Sequence, residues 1–475
     1  MPSGTLQVYT ALAENAAPLP GVTVLVLNEA GIQIARLTTN DVGSAPELVL
    51  TAPDEAYSLD EANTTVRPYA VYQLRAEMTG FQTIELEGVQ VFAGHQTVAR
   101  LQFLPAARTL PEVEPETIPE HPLFAGDGGS GPAPIGQCAD ARVLSEVVVP
   151  KKITVHLARP AVSAANVTVS FQDYIANVAS SEVYPTWPEQ ALRANILAQI
   201  SLALNRIWTE WYPSRGYSFN ITNSPGVDQA YVRGRTVFAV MERLTAELFN
   251  TYVRRTGDTE PYYTEYCDGK SVTCPGMKQW GTVERAKEGK SALEILRYYY
   301  GSRVQLVTTN NIASIPQSYP GSPLRRGSTG TAVNVLQKQL SRIAKDYPSF
   351  GKPAITGTFD EATENSVKKF QKQFSLTVDG VVGKATWYKI SYIYVSVKDL
   401  AELTSEGETF TGAQSAGRGR EPCCAVAVPG EAWSRCSSGC PAWRSLIPIC
   451  RPFVWMAALA RPRNARSRHS RNRRV

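Results

Sequence analysis

No stretch of this 475-residue chain reaches the roughly 20 apolar residues that a membrane helix needs. The run SLIPICRPFVWMAALA is short and is interrupted by Arg451 and Pro452, so no membrane span is expected. The start, MPSGTLQVYTALAENAAPLPG, lacks a basic flank followed by an apolar core, so no secretory signal is expected either. Cysteine is scarce in the body, which has only Cys138, Cys267 and Cys274, while Cys423, Cys424, Cys436, Cys440 and Cys450 crowd the tail. That distribution excludes a disulfide framework. Lysine is absent from Thr411 to Val475, where twelve Arg face only Glu421 and Glu431. The rest of the chain carries 36 Lys and Arg against 41 Asp and Glu, so the overall net charge of +5 belongs to the tail. A mildly acidic body gives no ground for a nucleic-acid partner.

What is present is globular: 43% hydrophobic and 19% charged residues, in a chain long enough for three domains. Residues 1–104 alternate apolar runs such as GVTVLVL and YAVYQLRAEM with turn clusters such as TTNDVG, which predicts a small antiparallel sandwich. Residues 105–150, with GDGGSGPAPIG, are too rich in Pro and Gly to bury a core and read as a linker. Residues 151–308 mix strand and helix signals. Thr186-Trp187-Pro188-Glu189 fits a capping box, followed by Leu192, Ile196, Ile200 and Leu204 on one helix face. Ser291 and Glu294 form a second box opening ALEILRYYYG. Residues 321–397 hold three short helices. Val333, Leu336, Leu340 and Ile343 mark the first; Val367, Phe370 and Phe374, after an Asp360 cap, mark the second. Tyr298, Tyr299, Tyr300, Trp208, Trp211 and Tyr212 sit at helical spacing and are expected in the core.

Residues 1–104, through PLPGVTVLVL, TTNDVG and the Gly80-Phe81 pair, resemble the carboxypeptidase-regulatory-like (transthyretin-like) sandwiches. Residues 324–390 read LRRGSTGTAVNVLQKQL and ITGTFDEATENSVKKFQKQFSLTVDGVVGKATWYKI, which resembles a three-helix peptidoglycan-binding domain. Most of that signature is structural: the glycines make turns, Asp360 and Thr386 cap helices, and Phe370 and Trp387 fill the core. Arg325, Arg326, Gln371, Asp379 and Tyr388 are the candidate contacts to sugar and peptide. The resemblance implies peptidoglycan glycan strands as the partner.

Residues 169–301 resemble the stage II sporulation protein D family of lytic transglycosylases, through FQDYIANVASSEVYPTWPEQALRANILAQISLAL and CPGMKQWGTVERAKEGKSALEILRYYYG. The resemblance implies that Glu182 is the catalytic acid. One carboxyl suffices for this chemistry if it first protonates the leaving oxygen and then deprotonates the sugar's own C6 hydroxyl. Such an acid needs a raised pKa from apolar surroundings, for which Tyr184 and Trp187 are candidates. Those two residues and Gln279 complete the candidate substrate contacts. Glu189, in the capping box, is read as structural. The chain departs from the family where Ile200-Ser201-Leu202 replaces an Arg-Thr-Tyr, and where TCPGMKQWG lacks the family's histidine.

No cofactor is expected. Cys267 and Cys274 have six residues between them and no nearby Cys or His pair, which does not favour zinc; a loop-closing disulfide or two unreactive thiols remain open. The tail 411–475 has no periodicity and reads as an irregular, out-of-frame segment rather than a basic arm. The expected fold class is multidomain α+β: an antiparallel sandwich, a mixed α/β transglycosylase-like domain, a three-helix peptidoglycan-binding bundle and a disordered basic tail. Two functions are expected: a cell-wall or spore-associated lytic transglycosylase, or a wall-binding protein that kept the scaffold without turnover. Location in the cell wall or spore envelope would follow synthesis in a mother cell without classical export.

Overall fold

The computed structural model describes residues 1–106, 115–125, 144, 146–316, 318–345, 347–374 and 376–397. The GDGGSGPAPIG run, Cys138 and the tail from 411 lie outside the described residues. The described chain is mixed α+β, and among its residues no helix is long and apolar enough to cross a membrane.

Two sheets face each other at the N-terminal end. The first is ordered β4-β1-β7, from Leu48–Thr51, Ser3–Leu12 and Gln96–Phe103; the second is ordered β3-β2-β5-β6, from Gln33–Thr38, Thr23–Asn28, Ala70–Glu77 and Ile84–Val91. Alternate residues such as Leu6, Val8, Val24, Val26, Leu74, Leu86, Leu101 and Phe103 point inward and share one core. The sandwich is mixed rather than antiparallel, because β1 and β7 run parallel over eight paired positions. Parallel neighbours need a long crossover, and residues 13–95, which carry the strands of the other sheet, supply it.

The expected linker is, in its described parts, a packed strap. Strand β8 (Glu116–Thr117) pairs with β6, Ile118 enters the sandwich core, and His121 is fully buried. Gly88 makes room for it: at φ +77° it lies where a Cβ would stand 2.1 Å from the Ile118 carbonyl oxygen.

The sandwich does not stand apart from the residues that follow. Strand β13 (Val237–Phe238) adds to the edge of β7, and Phe92 packs on Tyr184 and Phe238 at ring distances of 5.4 and 5.2 Å. In the middle segment β10 (Lys152–His156) lies between β11 (Asn166–Ser170) and β12 (Ile221–Thr222). Helix α3 (Phe171–Glu182) follows β11 directly, its first turn capped by the Ser170 hydroxyl accepting the Asp173 N–H. The central helix, α4 (Glu189–Trp208), is surrounded by α3, α5 (Ala239–Leu248), α6 (Gln279–Lys287), α7 (Ala292–Tyr300) and strand β14 (Thr251–Arg255). Seventeen of its twenty residues are buried, so it is a core helix rather than one with a single apolar face.

The capping box expected before α4 is absent. The helix starts at Glu189 with Pro188 at the cap, two residues later than the pattern implied. The Thr186 hydroxyl instead meets Ser58, and the Glu189 carboxylate pairs with Arg193 and Arg243 at 2.8 and 2.9 Å. The Ser291–Glu294 box before α7 is formed.

Helices α8 (Thr331–Ile343), α9 (Glu361–Gln373) and α10 (Lys384–Val397) make the C-terminal bundle, whose core includes Val333, Leu336, Leu340, Ile343, Val367, Phe370 and Trp387. Asp360 caps α9 through the Thr363 N–H. Thr386 does not cap α10: the helix begins two residues earlier, and the Thr386 hydroxyl accepts from Gln371.

Candidate functional site

Glu182 is the last residue of α3. The chain then leaves helical geometry at Val183 (φ −134°, ψ 150°), turning the carboxyl into the middle segment, where it is 7% exposed. Three donors reach it. Gln199 Nε2 of α4 and the Tyr266 hydroxyl each stand 2.7 Å from Oε2, and the Ala230 backbone N–H stands 2.8 Å from Oε1.

Each donor is held from behind. The loop bearing Ala230 is anchored by Asp228, which forms a wholly buried ion pair with Arg206 of α4 at 2.8 Å and accepts from Tyr212 and from the Thr222 N–H and hydroxyl. Gln229 donates to the Gln199 carbonyl and to the Tyr266 hydroxyl, and accepts from Tyr174. Tyr266 opens the two-residue strand β15 (Tyr266–Cys267), which pairs with β16 (Met277–Lys278). A disulfide between Cys267 and Cys274 closes the loop between these strands, resolving the alternatives left open for the two cysteines.

Burial sets the chemistry of the carboxyl. Removal from water penalises the charged form and pushes Glu182 up to about 7, with the Ala230, Tyr266 and Gln199 hydrogen bonds opposing the rise. Near neutrality the group therefore exists in both protonation states. A proton on Oε2 has an acceptor at hand: the Gln199 Oε1 is buried without a partner, and a turn of the carboxamide presents it to Glu182. Glu189, at the start of α4, contrasts with it. Glu189 is exposed, and hydrogen bonds from Arg193 and Arg243 hold its carboxyl below the usual range.

The remaining candidate residues fall into separate places. Tyr184 and Trp187 are core residues, in an aromatic group with Trp280 and Phe92 rather than hydrogen-bonded to Glu182; the Trp187 indole N–H donates to the Ser58 carbonyl. Gln279 is buried at the start of α6. In the bundle, Gln371 is fully buried. It donates to Asp379 and the Val381 carbonyl and accepts the Gly380 N–H, clamping the turn before α10. Asp379 also accepts the Val381 N–H, which lowers its carboxyl below the ordinary range. Gly380 takes φ +74° there. Arg326 is exposed and paired with Glu361 at 2.8 Å, and Arg325 is exposed. Tyr388 is buried against Tyr319. Trp208, Trp211 and Tyr212 are core, as expected from their spacing, whereas Tyr298 is exposed. Among the described residues no cluster of three His, Cys, Asp or Glu could hold a metal ion.

Sequence reasoning missed Gln199, Gln229, Ala230 and Tyr266. Only Gln199 left a local trace: with Asn195 and Arg206 it forms a polar stripe along an otherwise apolar helix. Tyr266 lies 84 positions from Glu182 and carries no comparable signal.

Comparison with known proteins fixes the C-terminal region. Residues 329–390 match the family model described as a putative peptidoglycan binding domain. The chain is 24% identical over 165 residues to the N-acetylmuramoyl-L-alanine amidase CwlL of Bacillus licheniformis, covering 35% of this chain and 44% of that one. It is 41% identical over 68 residues to the zinc D-Ala-D-Ala carboxypeptidase of Streptomyces albus G, covering 14% of this chain and 25% of the relative. The chain thus spans less than half the length of either relative. A solved structure, the Bacillus anthracis TIE protein, aligns over 22% of this chain and 17% of its own at 17% identity and a TM-score of 0.16. The chain carries a peptidoglycan-binding domain at its C-terminal region.

Proposed function

We propose that this chain is a peptidoglycan-binding protein of the cell wall or spore envelope, built from modules at residues 1–104, 151–308 and 321–397. On this reading the middle module is a lytic transglycosylase of the stage II sporulation protein D kind, and the bundle holds the polymer. The observation that carries it is the buried Glu182 carboxyl with its pKa near 7, held by donors from α4, the Ala230 loop and β15.

Such a group suits both halves of the reaction. Protonated Glu182 gives its proton to the glycosidic oxygen as the bond from that oxygen to the muramyl C1 breaks, and the leaving strand departs with a hydroxyl. The muramyl C6 oxygen then bonds to C1, and the Glu182 carboxylate takes the C6 hydroxyl proton. No second carboxylate and no water are consumed, in contrast to the paired carboxylates of ordinary glycoside hydrolysis. Gln199 and the Tyr266 hydroxyl stabilise the charged state between the two transfers.

A second reading, binding without cleavage, is favoured by the same carboxyl being only 7% exposed with its oxygens already bonded within the chain. Incubation with denuded glycan strands separates the two. The transglycosylase reading expects anhydro-muramyl ends from the wild type and none from Glu182→Gln; equal product from both proteins would reject Glu182 as the acid, and no product from either would leave the binding reading.

A further inference from the structure

A cleft of about 680 Å³ opens where the middle segment meets the bundle, and none of the donors to Glu182 lines it. Its walls include Lys151 and Lys152 beside β10, Tyr217 from the loop before β12, Ile315 from the connecting segment, and Lys384 and Tyr388 from the first turns of α10. The volume lies within the range of small-molecule sites, roughly 300–1,000 Å³.

Several of the molecule's other cations sit on carboxylates: Arg67 on Glu29, Arg75 on Glu77, Arg193 on Glu189, Arg326 on Glu361 and Lys368 on Glu364. Lys151, Lys152 and Lys384 take part in no ion pair among the described residues; Lys384 Nζ lies 5.7 Å from the centre of the Tyr388 ring. Three amines outside any ion pair, against a single lining carboxylate, Glu210, attract an anion, and the half-buried Tyr217 offers ring surface with a polar edge. Two of the walls, Lys384 and Tyr388, belong to the segment that matches the peptidoglycan-binding domain. Helix α4 connects this cleft to the acid: Gln199 touches Glu182, and Ile207, eight residues on, lines the cleft, a rise of about 12 Å.

We propose that this cleft is a second binding site, for a carboxylate-bearing stretch of wall glycan, one sugar face of which lies on Tyr217 and whose acid groups meet Lys151, Lys152 and Lys384. The proposal rests on the reading of the chain as peptidoglycan-binding and adds where, outside the bundle core, the strand is gripped. It makes binding depend on the acidic groups of the polymer and on residues of two segments at once.

The test uses the full chain and co-sedimentation with purified sacculi in three forms: stripped of phosphate-bearing polymers, stripped and then amidated at their carboxyl groups, and unstripped. The variant Lys151→Ala/Lys152→Ala/Lys384→Ala is expected to bind stripped sacculi about tenfold more weakly than wild type, and the two proteins are expected to bind amidated sacculi alike. A control, Lys287→Ala/Lys290→Ala/Lys338→Ala, removes the same charge from exposed positions outside the cleft and is expected to bind as wild type. The site is overturned if the cleft variant binds stripped sacculi as wild type does, or if the control loses as much. A defect confined to unstripped walls overturns the carboxylate ligand in favour of phosphate. Absence of sedimentation by wild type with every form overturns the underlying peptidoglycan reading itself.

Discussion

In the bundle, Gln337 and Gln371 are saturated. Gln337 accepts the N–H groups of Thr356 and Gly357 and donates to Thr358 and Thr363; Gln371 does the same for the turn at Gly380. In the middle segment, Gln199 gives its amide to Glu182 and the Gln199 Oε1 is left buried and unpartnered, as is Asn195 Oδ1. Both regions bury glutamine, but one uses it to fix loops and the other to hold a titratable group. A buried polar network with every position filled is a structural device, whereas one with a spare acceptor beside an ionisable group has room for a proton.

The largest effect that would break this contrast is in the bundle. Gln371→Ala leaves the Gly380 N–H and the Asp379 turn without their buried partner and is expected to cost about 3 kcal/mol by denaturant unfolding. A loss below about 0.5 kcal/mol, the size of an ordinary surface change, would show that the amide is not a structural clamp.

A comparable effect belongs to Glu182, with a pH signature. Folding raises this carboxyl from 4.5 to about 7, so the folded chain keeps a proton that the unfolded chain has already released. Its contribution to stability is intact below the unfolded value and is lost as pH rises through the folded one, about 3 kcal/mol in all. Glu182→Gln is expected to lack this loss, so the wild-type minus variant stability difference should fall between pH 4.5 and 8. A difference that stays constant with pH would remove the buried acid from the account of the middle segment.

How far the sequence went follows the same divide. The bundle was legible because its helices carry regular apolar spacing and its turns carry glycines, and both signals are local. Glu182 was legible through the pattern around it. The partners that give it chemical character were not, since Gln199, Ala230 and Tyr266 meet only in three dimensions, 17, 48 and 84 positions away. The candidate contacts failed to separate binding from folding for a physical reason. Gln371, Tyr184 and Trp187 are polar or amphipathic types that sheet, strap and helix packing placed inside, and nothing in residue type alone distinguishes a buried amide from an exposed one. The linker reading missed the strap because two strand residues and Ile118 are too few to make a pattern, yet a glycine opposite them opens the space they occupy.

A smaller change sharpens the middle segment further. Tyr266→Phe removes one donor to the carboxylate and keeps the ring, so the Glu182 pKa is expected to rise by roughly one unit; no movement would assign that hydroxyl to Gln229 alone.

The carboxyl itself can be watched directly, by carbon-13 titration of the Glu182 side chain in the full chain, assigned by its loss in Glu182→Gln. A midpoint near pH 7 is expected. A midpoint near 4, as for an exposed glutamate, would contradict a proton held at the end of α3 and with it the acid on which glycan cleavage depends.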